Sequence, residues 1–184
     1  MQTQDRYSKV AMSLHWLIAL IILGLIGSGL FMTNEGVPNR FVIYQWHKSF
    51  GVTVLILSFI RMFWRMGHKP PALPAGMKTW EVQASKLTHI GFYVLMIGVP
   101  LLGWAMISAS RLPIETQLFY TLPWPDMPGV PKEKHVEDLL KTLHKLSGKF
   151  MLALIVLHIG AALKHQFISK DNLFARMVPF FKGH

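Results

Sequence analysis

The sequence contains no cysteine among its 184 residues. This absence excludes disulfides, zinc–thiolate sites, cysteine-ligated iron–sulfur clusters and haem attached through thioether bonds. Any metal chemistry in the chain must therefore depend on histidine, methionine or carboxylate side chains. The nine histidines are the first candidates for metal ligands.

Charged residues are also scarce, at 15% of the chain, whereas hydrophobic residues make up 52%. The apolar residues gather in four blocks, each near the length that spans a hydrocarbon layer about 30 Å thick. We predict membrane-spanning helices at about 11–32, 42–64, 87–108 and 143–163. Because the length fits one domain, the sequence predicts a single all-α integral membrane four-helix bundle over residues 1–184.

None of the four apolar blocks contains Asp or Glu. A metal transport site usually adds carboxylates to its histidines and concentrates its ligands at one depth, so this absence disfavours a transporter and a carboxylate proton relay. The formal net charge of +10 does not indicate nucleic-acid binding, because Lys and Arg are scattered around the apolar blocks and form no basic run. Membrane topology explains the charge better.

The basic residues favour one orientation in the membrane. Eleven of the 19 Lys and Arg residues lie in the N-terminus, in the region from Arg61 to Lys86 that contains the proline-rich connector, and in the C-terminal tail. By the positive-inside rule, both termini and this connector are cytoplasmic. The proline-rich stretch at 109–142 is then outside, where we expect it to cap one end of the bundle.

Five histidines lie within the predicted helices, at two depths. The outer layer contains His47 and His144, and the inner layer contains His15, His89 and His158. Ionisable groups inside a membrane are costly, so by default they indicate function. Two matched layers predict two sites, one near each end of the bundle.

The spacing of the two histidines on helix 4 connects these layers. His144 and His158 are 14 residues apart, about 21 Å along a helix and close to four whole turns, so they share one face. A bis-histidine haem needs one imidazole from each of two helices. Helix 4 can thus supply one ligand to each of two haems, with His47 available for the outer haem. Either His15 or His89 can complete the inner one.

Arg61 and Arg65 lie one turn apart at the inner end of helix 2. Arginine binds carboxylates in a bidentate manner, so both residues are candidate partners for haem propionates. A role as positive-inside charges explains the two arginines about as well.

Four segments carry a resemblance to a known family. They are RYSKVAMSLHWLIAL, YQWHKSFGVTVLILSFIRMFWRM, LTHIGFYVLMIGVPLLGWAM and, most specifically, LHKLSGKFMLALIVLHIGAALKHQFISKDNLFARMVP. With these segments the chain resembles the bacterial cytochrome b561 family, which is related to the b-type subunits of nickel hydrogenases and formate dehydrogenases. The resemblance implies a bundle in the bacterial inner membrane that holds two haem b and reacts with ubiquinone or another quinone.

The resemblance also implies roles for individual histidines. His47 and His144 are expected to ligate the iron of the outer haem, and His15 and His158 the iron of the inner haem. His89 is then left without an iron and is expected to hydrogen-bond a propionate or the quinone.

His165 lies seven residues after His158, about two helical turns further, at the inner membrane surface. In the resembling proteins a histidine at this point of ALKHQFISKDN is associated with the quinone site. A solvent-facing interfacial histidine is the alternative interpretation.

The sequence is compatible with three functions. Some members of the resembling family are superoxide oxidases, which pass electrons from superoxide at the outer face through both haems to ubiquinone. Outer lysines provide a field that can attract a small anion: Lys132, Lys134, Lys141, Lys145 and Lys149. The alternatives are a non-catalytic relay for another redox protein and a histidine-lined metal transporter. The expected partners are therefore membrane lipid, quinone, superoxide or a redox protein, without nucleic acid.

Overall fold

Four long apolar helices dominate the structure, a computed structural model that describes residues 6–74, 76–112, 115–171 and 173–178. The helices are α1 (Lys9–Met32), α2 (Arg40–Gly67), α3 (Thr79–Ser108) and α4 (Lys134–Lys164). Each one is long and apolar enough to cross a membrane. The predicted all-α membrane four-helix bundle is confirmed.

The third and fourth helices begin before the apolar blocks that predicted them. α3 starts at Thr79 instead of about residue 87, and α4 starts at Lys134 instead of about residue 143. The carboxylate of Glu81 accepts a hydrogen bond from the Lys78 backbone N–H at 3.0 Å, which caps the start of α3. Hydropathy registers only the lipid-spanning part of a helix, so the apolar blocks leave out these polar turns, although Glu137, Asp138 and Lys141 in the sequence already favour an earlier start for α4. The polar turns contain the acidic residues of the helices: Glu81, Glu137 and Asp138.

Each helix packs against the next one in sequence, α1 on α2, α2 on α3 and α3 on α4. A small buried cluster joins all four helices near mid-depth: Ile18, Ile22, Val54, Met96 and Met151. Many other large apolar side chains are exposed, including Leu20 at 65% and Val156 at 61%. Such exposure suits side chains that face lipid, since it would be unfavourable in water.

A short hairpin covers one end of the bundle, which we call the cap face. Strands β1 (Thr116–Leu118) and β2 (Leu122–Trp124) pair antiparallel. Phe119 and Tyr120 form the turn with φ of 52° and 59°, as in the hairpin turns whose twist matches that of the strands. The hydroxyl oxygen of Ser49 on α2 accepts a hydrogen bond from the Phe119 N–H at 2.9 Å, which ties the hairpin to the helix.

The opposite end, where α1 begins and α4 ends, is the tail face. After α4 the chain makes a π-helical turn at His165–Ser169 and a 3-10 turn at Phe174–Arg176. Arg6 donates to the Ala175 carbonyl at 3.0 Å, and the indole of Trp16 donates to the Met177 carbonyl at 2.9 Å. The C-terminal segment is thereby held against the start of α1.

Candidate functional site: two clusters of histidines

The five histidines within the helices form two clusters, one toward each face. Toward the cap face, the ring centres of His47 and His144 lie 6.3 Å apart. Toward the tail face, the ring centre of His158 lies 6.3 Å from that of His15 and 6.2 Å from that of His89. α4 therefore contributes one histidine to each cluster, and the partners come from α1, α2 and α3.

Hydrogen bonds fix both rings of the cap-face pair. His47 Nδ1 lies 2.9 Å from the Ser28 hydroxyl, which donates its one hydrogen to the Leu25 carbonyl at 3.0 Å. With that hydrogen on the Leu25 carbonyl, Nδ1 of His47 donates to the hydroxyl oxygen. His144 Nδ1 donates to the Val99 carbonyl at 3.0 Å. Both rings then present the lone pair of Nε2, as metal-binding histidines usually do when the other nitrogen is hydrogen-bonded.

Two glycines leave room for these rings. A Cβ atom added at Gly103 would lie 3.1 Å from Cε1 of His144, closer than an ordinary contact. A Cβ atom added at Gly29 would lie 3.5 Å from Cε1 of His47, which is ordinary van der Waals contact. A side chain at position 103 would therefore crowd the His144 ring, whereas position 29 has room for a methyl group beside His47.

The two partners of His158 in the tail-face cluster differ in their hydrogen bonds. His89 Nδ1 donates to the Ser85 carbonyl at 2.7 Å. His15 Nδ1 is buried and has no hydrogen-bond partner among the residues that the structure describes. An unsatisfied buried polar group costs about 1–3 kcal/mol. His15 therefore retains a binding capacity that the described protein groups do not fill.

The ring separations fit one metal ion between two opposed imidazoles. A ligating imidazole nitrogen lies about 2 Å from its metal, so with ~1 Å more to each ring centre the centres are about 6 Å apart. The observed separations are 6.2 and 6.3 Å. Within the described ranges, no group of three or more His, Asp or Glu side chains is arranged to hold a metal ion. The donors fit a haem iron with two histidine ligands better than a transport site for a bare ion.

A cationic cavity lies beside the tail-face cluster. Its lining includes Arg61 and Arg65 together with the rings of Tyr7, Trp64 and Tyr93. Among the residues that the structure describes, no acidic side chain lines it. The cavity suits a carboxylate, because two guanidinium groups face it without a competing anion.

His165 is buried, with 9% of its surface exposed. Its Nδ1 lies 2.5 Å from Oδ2 of Asp171, six residues further along the chain. The interpretation of His165 as a solvent-facing interfacial residue is therefore wrong.

Two of the five outer lysines form ion pairs. Lys132 lies 2.8 Å from Asp126, and Lys134 lies 2.7 Å from Asp138. These carboxylates offset part of the positive field predicted for this face. The remaining three, Lys141, Lys145 and Lys149, are exposed and follow one another at one-turn intervals on α4.

Sequence reasoning did not single out Ser28 or Asp171. Serines are common in membrane helices, and nothing in their spacing indicates that one of them contacts His47. Asp171 lies six residues after His165 in the segment that most specifically carries the family resemblance, and this position is a signal that could have pointed to it.

Four lipid-facing helices that enclose opposed histidines define a multi-pass membrane protein suited to holding haem between its helices. The sequence matches the family described as prokaryotic cytochrome b561 over residues 6–180. The chain belongs to this family, as the sequence had indicated. It is therefore a membrane electron-transfer protein, and membership implies a b-type haem.

Three relatives illustrate the match. The chain is 28% identical over 178 residues to "Cytochrome b561 homolog 1" of Escherichia coli (strain K12), covering 95% of this chain and 98% of that protein. It is 27% identical to "Cytochrome b561 homolog 2" of the same strain, covering 96% and 93%. It is 26% identical to "Probable superoxide oxidase CybB" of Yersinia pestis, covering 97% and 98%. The similarity extends over nearly the whole of each chain.

Proposed function

We propose that the chain is a superoxide:quinone oxidoreductase that holds two haem b. The observation that carries this proposal is the pair of histidine clusters, one toward each face, both served by α4. An electron donor at one face and an acceptor at the other require this arrangement. The similarity to a protein named as a probable superoxide oxidase supports superoxide as the donor.

In this proposal His47 and His144 hold one haem toward the cap face, and His15 and His158 hold the other toward the tail face. The b-type haem supplies reversible one-electron chemistry when bound. The choice of His15 over His89 follows the family resemblance, since the bond from His89 Nδ1 to the Ser85 carbonyl leaves Nε2 of His89 able to bind a metal as well. His89 is assigned to a propionate or the quinone.

The arginines of the cationic cavity provide the partners for haem propionates. Arg61 and Arg65 line it, and Ala11, another lining residue, precedes His15 by one helical turn. Binding the carboxylates there orients the macrocycle and places its negative charges against guanidinium groups. The cavity thus complements the histidine pair of the tail face.

The two faces receive different reactants. We assign the cap face to the outer side of a bacterial inner membrane and the tail face to the cytoplasm, following the distribution of Lys and Arg. Two superoxide anions give up one electron each at the cap face and become two O2 molecules. One quinone takes up these two electrons and two protons near His165 at the tail face and becomes a quinol.

The test uses the purified protein in liposomes that contain ubiquinone. A reduced-minus-oxidised visible spectrum should show two low-spin haems per chain. Superoxide generated outside should reduce them and then yield ubiquinol. His165→Ala should keep both haems and slow ubiquinol formation.

The other outcomes identify the alternatives. One haem or none would reject the two-haem architecture, and no haem would favour metal transport. Two haems that superoxide does not reduce, but that exchange electrons with quinone, would indicate a relay for another redox protein.

A further inference from the structure

A buried carboxylate contacts His165 just beyond the end of α4. The side chains of His165 and Asp171 are only 11% and 17% exposed, and Nδ1 and Oδ2 lie 2.5 Å apart. A hydrogen bond to an ionised carboxylate is shorter and stronger than one between neutral groups. The pair is thus the best-shielded histidine–carboxylate contact in the described part of the chain.

The local backbone holds Asp171 in this position. The chain reverses at Lys170, whose φ of 52° is left-handed, and the Asp171 N–H donates to the His165 carbonyl at 3.4 Å. The second carboxylate oxygen, Oδ1, accepts from the Leu173 N–H at 3.2 Å. His165 itself opens a π-helical turn, a feature that often marks functional sites. Both partners are therefore oriented before any substrate arrives.

This contact determines which nitrogen of His165 can serve a substrate. An ionised carboxylate only accepts hydrogen bonds, so Nδ1 carries the proton that faces Asp171. Nε2 is then the position left for a substrate oxygen. When Nε2 takes a proton, the imidazolium that forms keeps its Nδ1–H hydrogen bond to the Asp171 carboxylate.

We propose that Asp171 is a positioning residue for quinone reduction, acting through His165; this inference rests on the function proposed above. The imidazolium of His165 donates its Nε2 proton to a quinone oxygen and becomes neutral. The other proton remains on Nδ1, hydrogen-bonded to Asp171. Water at the cytoplasmic side returns the proton to Nε2. Two such proton transfers, each accompanied by the transfer of one electron, convert one quinone to one quinol.

Anchoring of the C-terminal segment does not require the contact of Asp171 with His165. Arg6 and Trp16 already bind carbonyls of that segment, and the Tyr7 N–H donates to the Arg176 carbonyl at 3.3 Å. At the opposite end of α4, Asp138 forms an ion pair with Lys134 at 2.7 Å. That carboxylate pairs with a lysine far from His165, so it provides a matched control.

The experiment isolates the quinone side of the reaction. Detergent-purified holoprotein is reduced chemically, freed of reductant and mixed anaerobically with a short-chain ubiquinone, and haem reoxidation is followed at several quinone concentrations. Asp171→Asn should lower the maximal rate at least ~10-fold, within the usual contribution of acid–base catalysis, and leave the half-saturating quinone concentration nearly unchanged. Asp171→Glu should recover part of the rate, and Asp138→Asn should match the wild type.

A double variant tests whether Asp171 acts through His165. If it does, His165→Ala with Asp171→Asn should be no slower than His165→Ala alone. Multiplied losses, or a wild-type rate for Asp171→Asn, would overturn the inference and leave the proposed function intact. Loss of haem from both Asp171→Asn and Asp171→Glu would also overturn it and indicate a structural tie. Wild-type protein that quinone does not reoxidise would instead reject the proposed function.

Discussion

At the scale of single residues, the histidine rings depend on neighbours that carry no redox chemistry. Ser28 and the Val99 carbonyl hold Nδ1 of the two cap-face rings, and Gly103 leaves the space that one of them occupies. Groups of this kind usually change metal affinity 10–100-fold when they are replaced. Haem retention is therefore sensitive to substitutions that leave every ligand in place.

Gly103→Ala tests the tight contact with His144. The added methyl group would lie 3.1 Å from Cε1, so the ring must shift against its bond to Val99. We expect about 10-fold weaker binding of the cap-face haem, measured as haem content per chain after graded detergent washing. Gly24→Ala is the control, because it lies on an exposed part of α1 with open space around it. Equal haem retention in both variants would contradict the contact.

Ser28→Ala tests the bond that fixes the tautomer of His47. Removing the hydroxyl leaves a buried N–H unsatisfied, at a cost of about 1–3 kcal/mol. The variant should release the cap-face haem more readily while the tail-face haem is kept. Thr33→Ala removes an exposed hydroxyl that bonds only to its own helix, so this control should behave as wild type. Retention of both haems by Ser28→Ala would show that the bond is dispensable.

The choice between His15 and His89 is also made at this scale. Their ring centres are almost equally distant from that of His158, so distance alone does not decide. Following the family resemblance, His15→Ala should lose the tail-face haem, whereas His89→Ala should keep two low-spin haems. Visible and low-temperature electron paramagnetic resonance spectra would measure this. The reverse result would exchange the two roles.

At the scale of elements, α4 is the helix shared by both clusters. Met151, in the buried apolar cluster, stands seven residues from each of its two histidines, His144 and His158. Each of the other three helices contributes one histidine to one of the two clusters. Antiparallel packing brings the partner histidines close to those of α4, because it places the start of α1 and the end of α4 at the same face.

Replacing the two α4 histidines one at a time should separate the haems. His144→Ala should lose chiefly the cap-face haem and His158→Ala chiefly the tail-face haem, because each change removes one of two protein ligands. Redox titration of the remaining absorbance would distinguish them, since the two sites differ in neighbouring charge. Loss of the same component from both variants would reject the assignment of one haem to each layer.

At the scale of the whole molecule, charge is distributed unequally between the faces. The tail face has Arg61 and Arg65 in its cavity, while ion pairs offset Lys132 and Lys134 at the cap face. The cap-face field therefore depends mainly on the exposed lysines of α4. We therefore expect this field to raise the encounter rate with a small anion only modestly, and less than five unpaired lysines would.

Salt and charge reversal test this field. The rate of haem reduction by superoxide should fall several-fold as ionic strength rises toward about 0.15 M, where the Debye length is about 8 Å. Joint reversal, Lys141→Glu with Lys145→Glu, should slow the reaction at low salt and flatten its salt dependence, with both haems retained. Lys9→Glu, at an exposed position of the tail face, is the control. A rate that does not respond to salt would exclude electrostatic steering.

The sequence by itself determined the class of structure. Four apolar blocks require helices, because backbone groups in lipid must be hydrogen-bonded within the segment. The absence of cysteine leaves histidine as the main ligand type, and the 14-residue spacing of His144 and His158 follows from helical geometry alone. These are local or compositional properties, so one sequence is enough to predict them.

Only the tertiary structure decided which groups meet across helices. The contacts of Ser28 with His47 and of Gly103 with His144 depend on the rotation and depth of two helices, which hydropathy does not specify. The burial of His165 against Asp171 depends on the left-handed turn at Lys170. Such contacts arise from packing between segments distant in sequence, or from a single turn, and periodicity reports neither.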